Sequence, residues 1–390
     1  MTSRLPALLL FALLLAPAPP ARDVLREGTA AEVGMSGAVL RAGASLFEDA
    51  VRRDELRGVV LLVARRGVIV LHEAHGWRDP GRTQPMERDT LFRLASNTKP
   101  VVAAAVLQLA EAGALELDGP VYEHLPSFDH PRGRPITVRQ LLSHTSGLRI
   151  GPIFLRPLLG PSEEHPDAPS LRLEVARFGA IGASVPPGSS YSYSNAGFNT
   201  LGALIEVVSG RPLKLYLGER IYDPLGMADS CNHESDADPA RMSAVFSRIG
   251  GEDWRVGWQP GDPPDYPFPR ASGGMIATAR DYAVFCQAFL NGGSYGEARI
   301  LEPASVAEAT RPQTAHVYGE AEREQRTSFY GLGWRVSGDG VYSHGGSDGT
   351  FAWVDPGRQI LGVVFTQSPG GENPRGQFQR IVDAACRDGR

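Results

Sequence analysis

Apolar positions recur at helical spacing through residues 36–53, which predicts an amphipathic helix early in the chain. Two β-branched runs follow, 59–64 and 68–74, separated by Arg65-Arg66-Gly67. They predict a hairpin with glycine in its turn. Residues 101–112 are apolar on nearly every side and stop at Gly113. A helix of that composition belongs in the interior. Further helices are predicted over 195–208, ended by Gly210, over 279–290, ahead of Asn291-Gly292-Gly293, and over 377–386. Short strands are predicted at 330–336, 341–344, 350–354 and 360–367, with Gly338-Asp339-Gly340 and Asp355-Pro356-Gly357 as turns. The proline-rich spans 156–190 and 252–270 and the polar span 311–328 read as loops around a site. Strands at both ends with helices between them imply an α+β fold. One antiparallel sheet, built from about 30–90 and 295–388, would carry an inserted all-α domain spanning about 95–290.

The first residues have a different character. Arg4 precedes an apolar run from Leu5 to Ala16, and Ala16-Pro17-Ala18 supplies small residues after it. This pattern predicts a signal peptide over residues 1–21 and export to a periplasm or medium. No later stretch reaches the ~18 apolar residues of a membrane span. The whole chain has 390 residues, 42% hydrophobic and 21% charged, with a formal net charge of -5. No basic stripe is visible, so a nucleic-acid partner is not expected. Cys231, Cys286 and Cys386 form no C-x-x-C pair, which argues against zinc-ribbon and thioredoxin chemistry.

One compositional detail bears on chemistry. Of the 39 basic residues only Lys99 and Lys214 are lysines. The chain otherwise uses arginine, whose guanidinium keeps its proton, whereas a buried amine can lose one near neutral pH. Lys99 lies three residues after Ser96, just ahead of the apolar helix. Side chains three apart on a helix share a face, and free N–H groups at a helix start favour developing negative charge. A serine there can attack a carbonyl while a desolvated lysine takes its proton. Tyr193-Ser194-Asn195 opens the second helix; its tyrosine could exchange a proton with the lysine, and its asparagine could donate to a substrate carbonyl. His344-Gly345-Gly346-Ser347 lies between strands, where glycines admit a ligand close to the backbone. An N–H near Ser347 could complete an oxyanion hole with that of Ser96. Two other matches fail. Gly345-Gly346-Ser347-Asp348-Gly349 fits G-x-S-x-G, but a strand follows it and no histidine lies beyond His344. His72-Glu73-Ala74-His75 is one residue short of H-E-x-x-H.

Ser96-x-x-Lys99, Tyr193-x-Asn195 and His344-x-Gly346, in this order, resemble the penicillin-recognising serine hydrolases. The likeness extends to HTSGL from His144, SGGMIATARDY from Ser272, YGLGW from Tyr330 and HGGSDGTFAWVDP from His344, and covers about 30–385. The nearest branch is the class C β-lactamase-like group, with its family VIII carboxylesterases, D-aminopeptidases and D-Ala-D-Ala carboxypeptidases. The resemblance implies a β-lactamase/transpeptidase-like fold and an acyl-enzyme route without metal or cofactor. It makes Ser96 the nucleophile, and Lys99 and Tyr193 the coupled acid and base. Asn195 would orient substrate, His344 would face it with Gly345 and Gly346, and the N–H groups of Ser96 and Ser347 would form the oxyanion hole. The family's Lys-Thr-Gly is here His-Gly-Gly, which removes a cation and a hydroxyl that would bind a substrate carboxylate. At about 1.5–3 kcal/mol per charge-assisted bond, that loss shifts the expectation from anionic β-lactams toward neutral esters or amides. Small esters are the leading substrate, peptides the next and β-lactams the last; a slowly acylating sensor is the rival from another class.

Overall fold

The computed structural model describes residues 24–150, 157–248, 250 and 253–386. The predicted signal peptide lies outside the described residues. The main sheet has eight strands: β1 (Arg26–Glu27), β2 (Gly58–Arg65), β3 (Val68–Gly76), β4 (Ser328–Tyr330), β5 (Arg335–Ser337), β6 (Tyr342–Gly345), β7 (Thr350–Asp355) and β8 (Ile360–Phe365). They run in the order β1-β3-β2-β8-β7-β6-β5-β4, so the early hairpin joins the late strands at the β2–β8 seam. Every pair is antiparallel except β1 with β3. The sheet is therefore mixed at one edge, where a two-residue strand returns alongside its neighbour. The hairpin turn places Arg66 at φ 50° and Gly67 at φ 75°, the left-handed pair that a tight two-residue connection requires.

Both faces of the sheet are covered, which explains why β2 is apolar along its whole length. Val59, Leu61 and Val63 face one layer, formed by α1 (Gly37–Arg52) and the C-terminal helix Arg375–Ala385. Val60, Leu62 and Ala64 face the other, larger core. That core holds α2 (Thr98–Glu111), α3 (Leu171–Ile181), α4 (Asn195–Ser209) and α5 (Ala279–Leu290). The C-terminal helix Arg375–Ala385 is α6. In α2, every residue from Thr98 to Leu109 is buried, as its unbroken apolar composition demands. The last helix of the expected insert, α5, packs on β8 and β2. No described helix is long and apolar enough to cross a membrane.

Four stretches depart from the periodicity reading. Residues 330–336 form two strands rather than one, because the backbone at 331–334 turns in against α2. Gly333, at φ 81°, sits where a Cβ would lie 2.6 Å from Ala103 Cβ. Within the proline-rich span 156–190, Leu171–Ile181 is a helix started by Ser170, whose hydroxyl accepts from the Leu173 N–H. Flanking prolines hid that start. Arg255–Trp258 pairs with Val245–Ser247, and Glu320–Gln325 is a short helix within the polar span 311–328.

Gly362 in β8 stands directly across from Trp353 in β7. A Cβ there would lie 2.1 Å from the indole Cη2, which in turn packs edge-on to Phe378 of α6. Gly362→Ala should therefore destabilise the fold by ~1–3 kcal/mol through overpacking, seen as a lower thermal midpoint. An unchanged midpoint would show that the indole can swing aside without cost.

Candidate active site

Ser96 stands in a 3-10 turn, Ala95–Asn97, that feeds directly into α2. Ala95 is held at φ 46°, a conformation costly for a residue with a Cβ. The surroundings enforce it. Thr98 Oγ1 donates to the Ala95 carbonyl at 2.7 Å and accepts from the Met275 N–H at 2.9 Å. Asn97 Nδ2 donates to Thr350 Oγ1 at 2.9 Å, and Thr350 donates to the Leu94 carbonyl at 2.8 Å. The buried Tyr282 hydroxyl donates to the Asn97 carbonyl at 2.9 Å. The nucleophile's turn is thus tied to α5 and to β7 at once.

Gly346 explains how the late strands come this close. A Cβ on it would lie 2.3 Å from both the Leu94 carbonyl oxygen and Thr350 Oγ1. Gly345 has no such conflict, its nearest neighbours standing at 3.6 Å. Of the two glycines, Gly346 is needed by the protein's own packing. The Gly346 N–H is used, donating to the Thr350 carbonyl at 2.7 Å. The next N–H, that of Ser347, makes no hydrogen bond among the described residues, and the Ser347 hydroxyl donates to Asp348 at 3.1 Å.

Lys99, the second residue of α2, is fully buried. Its Nζ lies 3.0 Å from Ser96 Oγ, 2.9 Å from Asn195 Oδ1 and 2.7 Å from the Ser272 carbonyl oxygen. The described residues place no carboxylate on it. Burial first, and then the Arg270 guanidinium, hold its pKa well below the usual lysine value. A neutral amine has two N–H donors and one lone pair. Two of its three neighbours, the Ser272 and Asn195 oxygens, can only accept, so the lone pair is left for the Ser96 hydroxyl proton. The Ser272 carbonyl is aimed by Asn199, whose Oδ1 accepts from the Ser272 N–H at 3.0 Å.

The Tyr193 ring lies over the amine, 4.7 Å from Nζ to its centroid. The residue is 43% exposed, lining two cavities, yet its hydroxyl end is buried enough to push the phenol pKa up. A hydrogen bond with Ser96 opposes that shift only in part. His344 faces Tyr193 across one of these cavities, with ring centroids 6.4 Å apart. Both of its nitrogens are engaged: Nδ1 donates to the Gly345 carbonyl at 3.0 Å, and Nε2 accepts from the Tyr330 hydroxyl at 2.9 Å. Burial and Lys99 push His344 down to about 3, so it stays neutral.

The first cavity, of about 500 Å³, runs from Tyr193 and His344 to Arg335, Phe351 and Arg375. The second, of about 440 Å³, lies beyond Asn195 and is lined by Leu148, Ile150, Phe178, Tyr266 and Arg270. The His-Gly-Gly substitution does remove the motif's own cation, but Arg335 and Arg375 bring positive charge back to the same cavity. Of the aromatic residues in the 252–270 span, Tyr266 lines the second cavity. Trp254 and Trp258 donate to the Asp54 and Pro263 carbonyls, and Phe268 is in the core. Sequence reasoning gave no role to Ser272, Asn199, Tyr330 or His144. Three of these lie in stretches noted only for their likeness to the family.

A serine paired with a buried amine beside a tyrosine, on a mixed sheet flanked by helices, defines a serine hydrolase of the β-lactamase fold. A family model described as Beta-lactamase matches residues 44–385, and the chain belongs to that family. Esterase EstB of Burkholderia gladioli is 35% identical over 302 residues, covering 71% of this chain and 75% of the relative. Penicillin-binding protein 4 of Amycolatopsis lactamdurans is 30% identical over 311 residues, covering 76% and 77%. Among solved structures, EstCE1, described as a hydrolase with promiscuous acyltransferase activity, superimposes with a TM-score of 0.72 at 26% identity, covering 90% of this chain and 99% of its own.

Asn195→Asp would put a carboxylate 2.9 Å from the amine. An opposite charge at that range favours the ammonium form and raises the lysine pKa by about 1–3 units. If the free base is the active form, the acid limb of the kcat/KM–pH profile should move to higher pH by that amount. An unmoved limb would mean that Lys99 does not set it.

Proposed function

We propose that the protein cleaves carboxylic esters through an acyl-enzyme on Ser96. The observation that carries this reading is the hydrogen-bond arithmetic at Lys99, whose lone pair is left facing Ser96 Oγ. The amine takes the hydroxyl proton as Oγ bonds to the ester carbonyl carbon. Negative charge develops on the carbonyl oxygen, within reach of the Ser96 and Ser347 N–H groups. The intermediate collapses with loss of the C–O bond, and Tyr193 gives its proton to the departing alkoxide. The Lys99 ammonium then returns a proton to Tyr193, which resets both groups. Water then bonds to the acyl carbon as it loses a proton to the same pair, the bond from that carbon to Ser96 Oγ breaks, and the pair gives the proton back to Oγ as the acid leaves.

The pKa directions divide the work. Burial lowers the lysine and raises the tyrosine, so the resting pair is amine and phenol. Lys99 is then the base and Tyr193 the acid. The apolar lining of the second cavity suits a hydrocarbon acyl chain, and the cavity at His344 suits the alcohol. Asn195 acts mainly on Lys99, which it holds in place, and His344 through its ring face and its hold on Tyr330. The esterase relative at 35% identity supports the ester reading over the peptide reading.

The parent protein should hydrolyse p-nitrophenyl butyrate and leave nitrocefin intact. Ser96→Ala should lose activity by about 10³-fold or more, and Lys99→Arg should lose it comparably, because arginine supplies no free base. Full activity in Ser96→Ala would remove the nucleophile assignment. A parent that is acylated at Ser96 by mass spectrometry but turns over none of these substrates would favour the sensor reading.

A further inference from the structure

His144 has no part in the chemistry just described, and it is more constrained than a packing residue needs to be. It is 1% exposed and held at φ 60°, in the left-handed region. It grips the chain on both sides of Tyr193. Its carbonyl accepts from the Ser192 N–H at 2.9 Å, and its Nδ1 accepts from the Ser194 N–H at 3.0 Å. The same imidazole lies against the Tyr193 ring, with centroids 4.3 Å apart, and against Tyr330 at 4.6 Å. Because Nδ1 accepts, the ring proton is on Nε2, and Nε2 has no hydrogen-bond partner among the described residues. An N–H left unpaired in the interior is a cost. A leucine of similar size would avoid it, so the imidazole is retained for what Nδ1 does.

We propose that His144 is the positioning residue for Tyr193, setting the phenol where it can protonate the leaving group. The inference rests on the proton-donor role given to Tyr193 above. Two hydrogen bonds fix the backbone at 192 and 194, and the ring contact fixes the side chain between them. Without Nδ1, the Ser194 N–H loses its acceptor and the 192–194 segment loses one of its two ties. The start of α4 is held separately, through the Ser194 hydroxyl, which donates to the Leu148 carbonyl at 2.8 Å and accepts from the Gly197 N–H at 3.0 Å. The helix should therefore survive while the phenol loses its aim.

Leaving-group dependence separates this role from a structural one. p-Nitrophenolate departs without a proton, whereas ethoxide needs one. In His144→Leu, kcat/KM for ethyl butyrate should fall roughly 10–100-fold further than for p-nitrophenyl butyrate, the scale of a misplaced catalytic group. His144→Asn, which tolerates positive φ and offers a side-chain oxygen as acceptor, should keep the wild-type ratio of the two substrates. Equal loss on both substrates in His144→Leu would overturn the proposal. If the leucine variant does not fold, a folded His144→Asn with a collapsed ratio would overturn it equally. Tyr193→Phe is the control. If it too loses both substrates equally, the proton-donor reading falls and takes the clamp with it. If Tyr193→Phe is selective and His144→Leu is not, only the clamp falls.

Discussion

A buried amine with no carboxylate beside it among the described residues is the constraint around which the rest of the site is arranged. Lys99 sits among groups that accept hydrogen bonds but carry no charge: a backbone carbonyl, an amide oxygen and a hydroxyl. An aspartate in place of Asn195 would make a better ion pair and a worse base. The nearest charge that matters is another cation, Arg270. The fold thus gives up the stabilisation of an ion pair at this point in exchange for a basic nitrogen, and surrounds it with a tightly bonded shell. Asn199, Thr98, Asn97, Thr350 and Tyr282 belong to that shell; Asn97 and Thr98 are the two residues between Ser96 and Lys99, and none of the five is itself given a catalytic role.

Much of the arrangement was legible beforehand because it depends on local pattern. The turn glycines, the all-apolar run after Lys99 and the unbroken apolar run of β2 each follow from one physical requirement. The scarcity of lysine separated Lys99 from the background of arginines; Lys99 is buried, whereas Lys214 pairs with Asp236 at the surface. What sequence could not carry is the information held between distant segments. Nothing in residues 156–190 shows that Leu171–Ile181 is a helix, since the prolines around it dominate the pattern. Nothing local shows that the YGLGW stretch breaks a strand, because the cause is Ala103 in α2, some 230 residues earlier in the chain. Gly346 lines the first cavity, as expected of a glycine that admits a ligand, but the side on which its Cβ would stand is filled by Leu94 and Thr350. The reading of His344 as a substrate contact likewise could not foresee that Tyr330 and the Gly345 carbonyl already occupy both ring nitrogens.

The two sides of the site differ in how they reach neutrality. Burial lowers the pKa of both Lys99 and His344, so each is biased toward its uncharged form before substrate arrives. Tyr193 is partly open, reaching both cavities, and its state depends on what fills them. Substrate binding, by excluding water from the ring, would hold the phenol still more firmly protonated until the leaving group departs. The acid is therefore the part of the pair that responds to substrate, and the base is the part that the fold has set in advance.

The arginines around the site have a consequence for how turnover ends. Arg270 lies in the cavity suited to the acyl chain, stacked on Tyr266 with its guanidinium carbon 4.0 Å from the ring centroid. Ester cleavage starts with a neutral acyl group and finishes with a carboxylate in the same place. The field that helps strip the proton from Lys99 thus becomes, one step later, an attraction for the enzyme's own product. Chemistry and egress are opposed by a single charge, and a faster base comes at the expense of a slower exit.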